Sequence, residues 1–203
     1  MKRITLAIAL AFVTLTLTAQ GGIKVKFQGD SPTISDLAWA VMTAYDDEED
    51  ADMDESMNAL KQAWIRNRDG LPLEEGETLT IDRKNGFVLY ESRHDESLLR
   101  IELCYWNEAD KKHKLIAYNV ACFTDGKYNP GQYDGLRFYR YHNASRSMEG
   151  WYEDTGFEVL YYDDDAMVSY ALPRTGKDIV MTTWYPDGPK QKTLKWDGRR
   201  FNF

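Results

Sequence analysis

After Gly70 the spacing of apolar residues changes from helical to alternating, and it stays alternating to the end of the chain. This change constrains the fold more than any other feature. Thr78 to Ile81 alternates, Gly86 to Tyr90 is a β-rich run, and Leu98 to Trp106 puts Ile101, Leu103 and Tyr105 on one face and Cys104 and Trp106 on the other. Asn107 to Lys111 is a polar turn, and Lys114 to Phe123 reads as the returning strand. Gly135–His142, Gly156–Tyr162, Ala166–Leu172, Asp178–Tyr185 and Lys192–Phe201 continue the series. Turn residues separate them at Asp125-Gly126, Asn129-Pro130-Gly131, Asp134-Gly135, Asp187-Gly188 and Asp197-Gly198. Short strands with regular turns predict an antiparallel sheet.

Before Gly70 the period is helical. Leu37, Val41 and Tyr45 share a stripe within Ser35–Tyr45, with Ala38 and Met42 beside it. Met57, Leu60 and Trp64 mark a second helix ending by Asp69-Gly70. Between them lies DDEEDADMDE, Asp46 to Glu55, with eight acids in ten residues. The fold class expected is α+β, mainly antiparallel β, with two N-terminal helices and two related units that each contain a β-hairpin.

The two units are read from an internal similarity. IELCYWNEADKKHKLIAYN, Ile101 to Asn119, and IVMTTWYPDGPKQKTLKWD, Ile179 to Asp197, align without a gap at an offset of 78. They agree at Ile, at Trp and at two Lys residues, and a Gly-Phe strand precedes each, at Gly86-Phe87 and Gly156-Phe157. Duplication of a β-unit accounts for this; so does convergence, because Ile and Trp are common in strands.

The N-terminus, MKRITLAIALAFVTLTLTAQ, has the form of a secretory signal peptide: Lys2 and Arg3, an uncharged apolar run from Ile4 to Leu17, then small residues up to Gln20. The run is short for a membrane span, which needs ~20 apolar residues. The expected organisation is a signal peptide at 1–20 and one domain at 21–203, helical over 21–70 and β-rich over 71–203. Cleavage after Gln20 leaves 23 basic against 33 acidic residues, a net charge of −10. That balance argues against a nucleic-acid partner, which requires clustered Lys and Arg. No second span follows, and the expected destination is the periplasm or the cell surface.

Export permits a disulfide, and Cys104 and Cys122 allow one bridge. A turn centred at 110–111 sets Cys104 opposite Ala117, so bridging needs a bend or a third strand. The alternative is two small buried thiols.

Several motifs invite chemistry. LPRTG, Leu172 to Gly176, matches the sortase pattern, but no apolar segment follows, and it reads as a Pro/Gly turn. The 46–55 run fails the EF-hand pattern: counted from Asp46, position 6 is Ala51 and position 12 is Met57. Asp163, Asp164 and Asp165 form a second acidic cluster that could help hold a cation. His94, His113 and His142 show no helical metal spacing and no partner Cys. No nucleophile motif and no Gly-rich phosphate loop appears, and nothing calls for a cofactor. Asn143-Ala-Ser145 is a sequon, relevant only in a eukaryotic secretory pathway.

The one enriched chemistry is aromatic: 13 Tyr, 8 Phe and 6 Trp. Trp39 and Trp64 fall on inward helix faces. Trp106, Trp184 and Trp196, with Tyr105, are the candidate ligand-binding residues, since planar rings on a sheet can stack on sugars or anchor a protein. Filling the core is the competing role. Trp151, Tyr139, Tyr141, Tyr161 and Tyr162 lie in the same β-region.

The stretches LCYWNEADKKHKLIAYN, LPRTGKD and KTLKWDGRRF resemble exported β-rich proteins of unknown function from Bacteroidetes-type Gram-negative bacteria, over about the C-terminal 120 residues. The resemblance implies export and a β-rich fold, and carries no catalytic residue with it. The reading reached is a non-enzymatic binding or interaction module whose partner is a glycan or another exported protein. Its rivals are a small hydrolase acting on a glycan or cell-wall polymer through paired carboxylates, and a cation-stabilised structural accessory.

Overall fold

The computed structural model describes residues 22–44, 55–131, 134–151, 155 and 167–202. In chain order the elements are β1 (Ile23–Lys24), α1 (Ile34–Met42), α2 (Glu55–Arg68), β2 (Glu77–Asp82), β3 (Phe87–His94), β4 (Ser97–Asn107), β5 (His113–Thr124), β6 (Lys127–Tyr128), β7 (Gly135–His142), β8 (Ser147–Gly150), β9 (Met167–Ala171), β10 (Ile179–Tyr185), β11 (Gly188–Trp196) and β12 (Phe201–Asn202). The class is α+β with antiparallel strands throughout, as the sequence predicts.

An eight-stranded sheet runs β1-β8-β7-β5-β4-β3-β2, with β6 paired to β5, and curls into a half-barrel. A four-stranded sheet runs β12-β11-β10-β9. The helices cover one face of the large sheet. There Leu37, Val41, Leu60 and Trp64 meet Ile101, Leu103, Ile116 and Tyr118. The small sheet covers the other face, where Ile179, Met181 and Leu194 meet Phe87, Leu115 and Phe138. With both faces covered, β5 is buried over eight consecutive residues, Lys114 to Ala121.

Local chemistry sets the helix ends. Thr33 caps α1 in a capping box, its hydroxyl facing the Asp36 amide and the Asp36 carboxylate accepting from the Thr33 amide at 2.8 Å. α2 stops at Gly70, whose positive φ of 71° lets the Leu71 amide reach back to the Arg66 carbonyl at 2.9 Å. Trp64 packs inward as expected, and Trp39 is partly buried under Arg68. Neither α1 nor α2 is long and apolar enough to cross a membrane.

The turn over 172–176 falls between β9 and β10, where LPRTG was placed as a turn. The strand expected over Lys192–Phe201 is two: β11 reverses at Asp197-Gly198 into β12, the Asp197 carboxylate accepting the Arg199 and Arg200 amides. β1, β6 and β8 have no counterpart in the sequence reading, being two to four residues long and too short to show a period.

Both hairpins of the internal similarity exist, in different sheets. Their pairing differs. β4–β5 sets Trp106 opposite Leu115, whereas β10–β11 sets Trp184 opposite Pro189. The offset of 78 would place Thr193 there. The second hairpin has the tighter turn, so its register is its own. The Gly156-Phe157 strand, the acidic run over 46–54, and Asp163, Asp164 and Asp165 lie outside the described residues.

Candidate functional site

The four aromatics chosen from sequence do not form one presented face. Trp106 and Trp196 are buried between the two sheets with ring centres 5.9 Å apart, and Phe201 packs edge-on to Trp106. The Trp106 indole N–H is taken by the Lys177 carbonyl at 2.9 Å. Tyr105 points to the opposite, helix-covered face, beneath the Lys114 ammonium at 4.8 Å. Trp184 sits apart from both, stacked on Tyr128 and donating to the Ser169 hydroxyl at 2.9 Å. Alternation correctly separates Tyr105 from Trp106, but it cannot reveal that both faces of the sheet are covered.

Cys104 and Cys122 are not joined in a disulfide. Cys104 pairs with Ala117 and Cys122 with Leu99, five positions along β5 and on the other face of the sheet. The bridge left open by the sequence therefore does not form, and a bend could not bring the two sulfurs together. Burial pushes the Cys104 thiol pKa well up, with the Glu102 charge adding to it.

The best-formed concavity among the described residues lies elsewhere, where the β4–β5 turn meets β7 and the segment at 198–199. It holds about 530 Å³ and is lined by Glu108, Asp110, Arg140, Trp151 and Arg199, among others. The turn is built by its own side chain. Asp110 accepts from the Lys112 amide at 2.8 Å and the His113 amide at 3.2 Å, the way a short acid closes a turn on its own backbone. Lys111 takes a positive φ of 59°, and the Ala109 amide donates to the Gly198 carbonyl at 2.8 Å, bolting the turn to the C-terminal segment.

Arg140 organises the charges. Its guanidinium grips both Glu108 oxygens, at 2.7 and 2.5 Å, in a bidentate pair, and lies 4.7 Å above the Trp151 ring. The Glu108 contact raises the Arg140 pKa further, so its charge is fixed. His113 Nδ1 is 2.5 Å from Asp110 and 3.3 Å from Arg140 Nη2. For Asp110, desolvation is the largest single influence and pushes its pKa up, but the amide and imidazole donors together outweigh it and the net shift is down. An ionised Asp110 only accepts. His113 Nδ1 therefore carries the proton, and the Arg140 approach to it is a contact, not a hydrogen bond.

Glu108, Asp110 and His113 converge closely enough to suggest a cation. Arg140 already supplies the positive charge at that point, and a metal shared by all three would have to displace it.

Of these residues the sequence singles out only Trp151, among the aromatics, and His113, whose spacing from the other histidines gives no metal pattern. The available signal was the charged turn Asn107 to Lys111. Arg140 comes from a strand whose alternation of bulky and basic residues does not say which Arg meets the turn.

No known protein family matches the chain, and no characterised protein or solved structure does either.

Proposed function

We propose that the chain is an exported, non-enzymatic binding module whose ligand seat is the cleft at Glu108, Arg140 and Trp151. The observation that carries this reading is the placement of an indole wall beside a fixed, bidentate charge pair in a concavity of about 530 Å³, a ligand-sized volume. Beyond their mutual bonds the guanidinium keeps further N–H donors and the carboxylates further lone pairs, and beside an indole wall these match a ring rich in hydroxyls. A glycan is the partner class this favours. The export element of the reading rests on Lys2, Arg3 and the apolar run after them.

The hydrolase alternative fares worse in this cleft. A carboxylate pair working as acid and base needs one member held protonated. Asp110 is pulled the other way, and both Glu108 oxygens are engaged by Arg140. The carboxyl whose pKa is raised, Glu102, is buried between the sheets and does not line the cleft.

The test is titration calorimetry with soluble polysaccharides and cell-wall muropeptides, on the wild type and on Trp151→Ala and Glu108→Gln. Saturable binding by one glycan, abolished in Trp151→Ala, supports the reading. Absence of binding to every glycan, or binding that both variants retain, overturns it. N-terminal sequencing of the chain recovered after expression in a Gram-negative host tests export: an intact Met1 in the cytoplasm would refute it.

A further inference from the structure

His113 and His142 lie 29 positions apart in sequence and directly opposite each other across β5 and β7. Their rings meet edge to face, with centroids 4.6 Å apart and planes at 87°. Both are only partly buried, so solvent and small ions reach them.

Each imidazole has a carboxylate on one nitrogen. His113 Nδ1 faces Asp110 at 2.5 Å, and His142 Nε2 faces Glu149 at 3.2 Å. Among the described residues, the second nitrogen of each ring, His113 Nε2 and His142 Nδ1, has no hydrogen-bond partner. A carboxylate behind an imidazole fixes its tautomer and orients the far nitrogen, which is the outer-shell arrangement of metal-binding histidines. Here it occurs twice, on two rings that touch.

The spacing fits. An ion held by one nitrogen of each ring at about 2.0–2.1 Å in a tetrahedral arrangement keeps the ring centres about 5 Å apart. The observed centroid separation of 4.6 Å lies close to that value. The groups facing the pair are Asp110, Glu149, Arg140 and Glu108. Glu108 neutralises Arg140, and Asp110 and Glu149 leave the surroundings net negative. The β7–β8 turn is tied to the β4–β5 turn by the Asn143 amide and side chain, which donate to the Lys112 and Lys111 carbonyls at 2.9 and 3.0 Å. The two strand ends that carry the histidines are thus held together before any ion arrives.

The geometry points to a binding site for a borderline divalent transition metal, of the zinc, copper or nickel class, with His113 Nε2 and His142 Nδ1 as its protein ligands and water completing the shell. Imidazole selects these ions over calcium and magnesium, which take oxygen ligands. The site is separate from the Glu108–Asp110–His113 convergence, which shares only the His113 ring and uses its other nitrogen. It is independent of the glycan reading, and either can fail alone.

The experiment is titration calorimetry of the chain with zinc chloride, with calcium chloride as the contrast, on the wild type, His113→Gln, His142→Gln and Glu149→Gln. The expected result is one zinc per chain and no saturable calcium heat. His142→Gln and His113→Gln should each weaken zinc at least tenfold. Glu149→Gln leaves both ligands in place and should weaken it by a smaller factor, because it removes only the orienting carboxylate. Thermal melts confirm that each variant folds. Zinc shifts of the His113 and His142 ring resonances, read by NMR on the wild type, locate the ion without any substitution. A wild type with no saturable zinc binding overturns the proposal. So does zinc affinity that survives unchanged in both histidine variants, or ring resonances that zinc leaves unmoved.

Discussion

The indole of Trp106, on β4, donates to the carbonyl of Lys177, just before β10, at 2.9 Å. This bond joins the large sheet to the small one through a buried ring. Trp106→Phe keeps most of the packing, loses the bond and strands the carbonyl. It should cost about 1–3 kcal/mol. Trp106→Ala also opens a cavity and should cost about 3–5 kcal/mol. Urea melts at constant m-value would measure both, and equal costs for the two variants would contradict the account.

Glu102 gives a pH dependence of defined sign. Burial pushes its pKa up, and the hydrogen bonds from the Leu172 amide and Asn119 only partly oppose that. The folded chain therefore keeps a proton that the unfolded chain releases near the ordinary carboxyl value of about 4.3. The stabilisation from this group is complete below that value and is lost as pH rises through the higher folded-state value. Glu102→Gln should remove that loss, so its stability relative to wild type should rise between pH 4 and pH 7. A constant difference across that range would refute the assignment.

Asp82 acts in the opposite sense. Hydrogen bonds from the Asn85 side chain first, then from Arg174, pull its pKa to about 2. Its contribution is present above the unfolded value near 3.9 and disappears as pH falls towards about 2. Asp82→Asn should destabilise at pH 7 and by much less at pH 2, where about half of the carboxyl is protonated in the folded chain. Melts at the two pH values check this. Arg174 belongs to the Leu172–Gly176 turn, so Arg174→Ala should reproduce much of the effect.

Gly86 tests the packing of Tyr105. Its φ is +66°, and a Cβ there would come within 2.8 Å of the Tyr105 ring. Gly126 has a similar φ of +71° and open space around it. Gly126→Ala should cost only the left-handed backbone penalty, about 1–2 kcal/mol. Gly86→Ala should cost more, because a tyrosine wedged under Lys114 must also move. Equal losses would mean that the ring is free to swing away.

Much of the fold is legible in the sequence because each element carries its own local signature. Leu37 and Val41 show the first helix, Asp187-Gly188 the tight turn, and the Asn107–Lys111 turn even fixes Cys104 opposite Ala117. What alternation cannot supply is what lies over each face. Trp106 and Trp196 look like a display surface only until the two sheets that carry them are packed face to face. The candidate sites are less legible still. Glu108 meets Arg140 across 32 positions and His113 meets His142 across 29, and only the β5–β7 register brings them together.

That same sheet has its first strand at the far end of its assembly order. Ile23 pairs with Met148, so the seam between β1 and β8 joins residues 125 positions apart. Loop closure over such a span costs entropy that only late, already ordered neighbours can offset. The β3–β4–β5 meander can form from local contacts, while the leading segment must wait for β8. The slowest step in folding should therefore be the annealing of β1, and a growing chain would leave that strand unpaired until Met148 had been made.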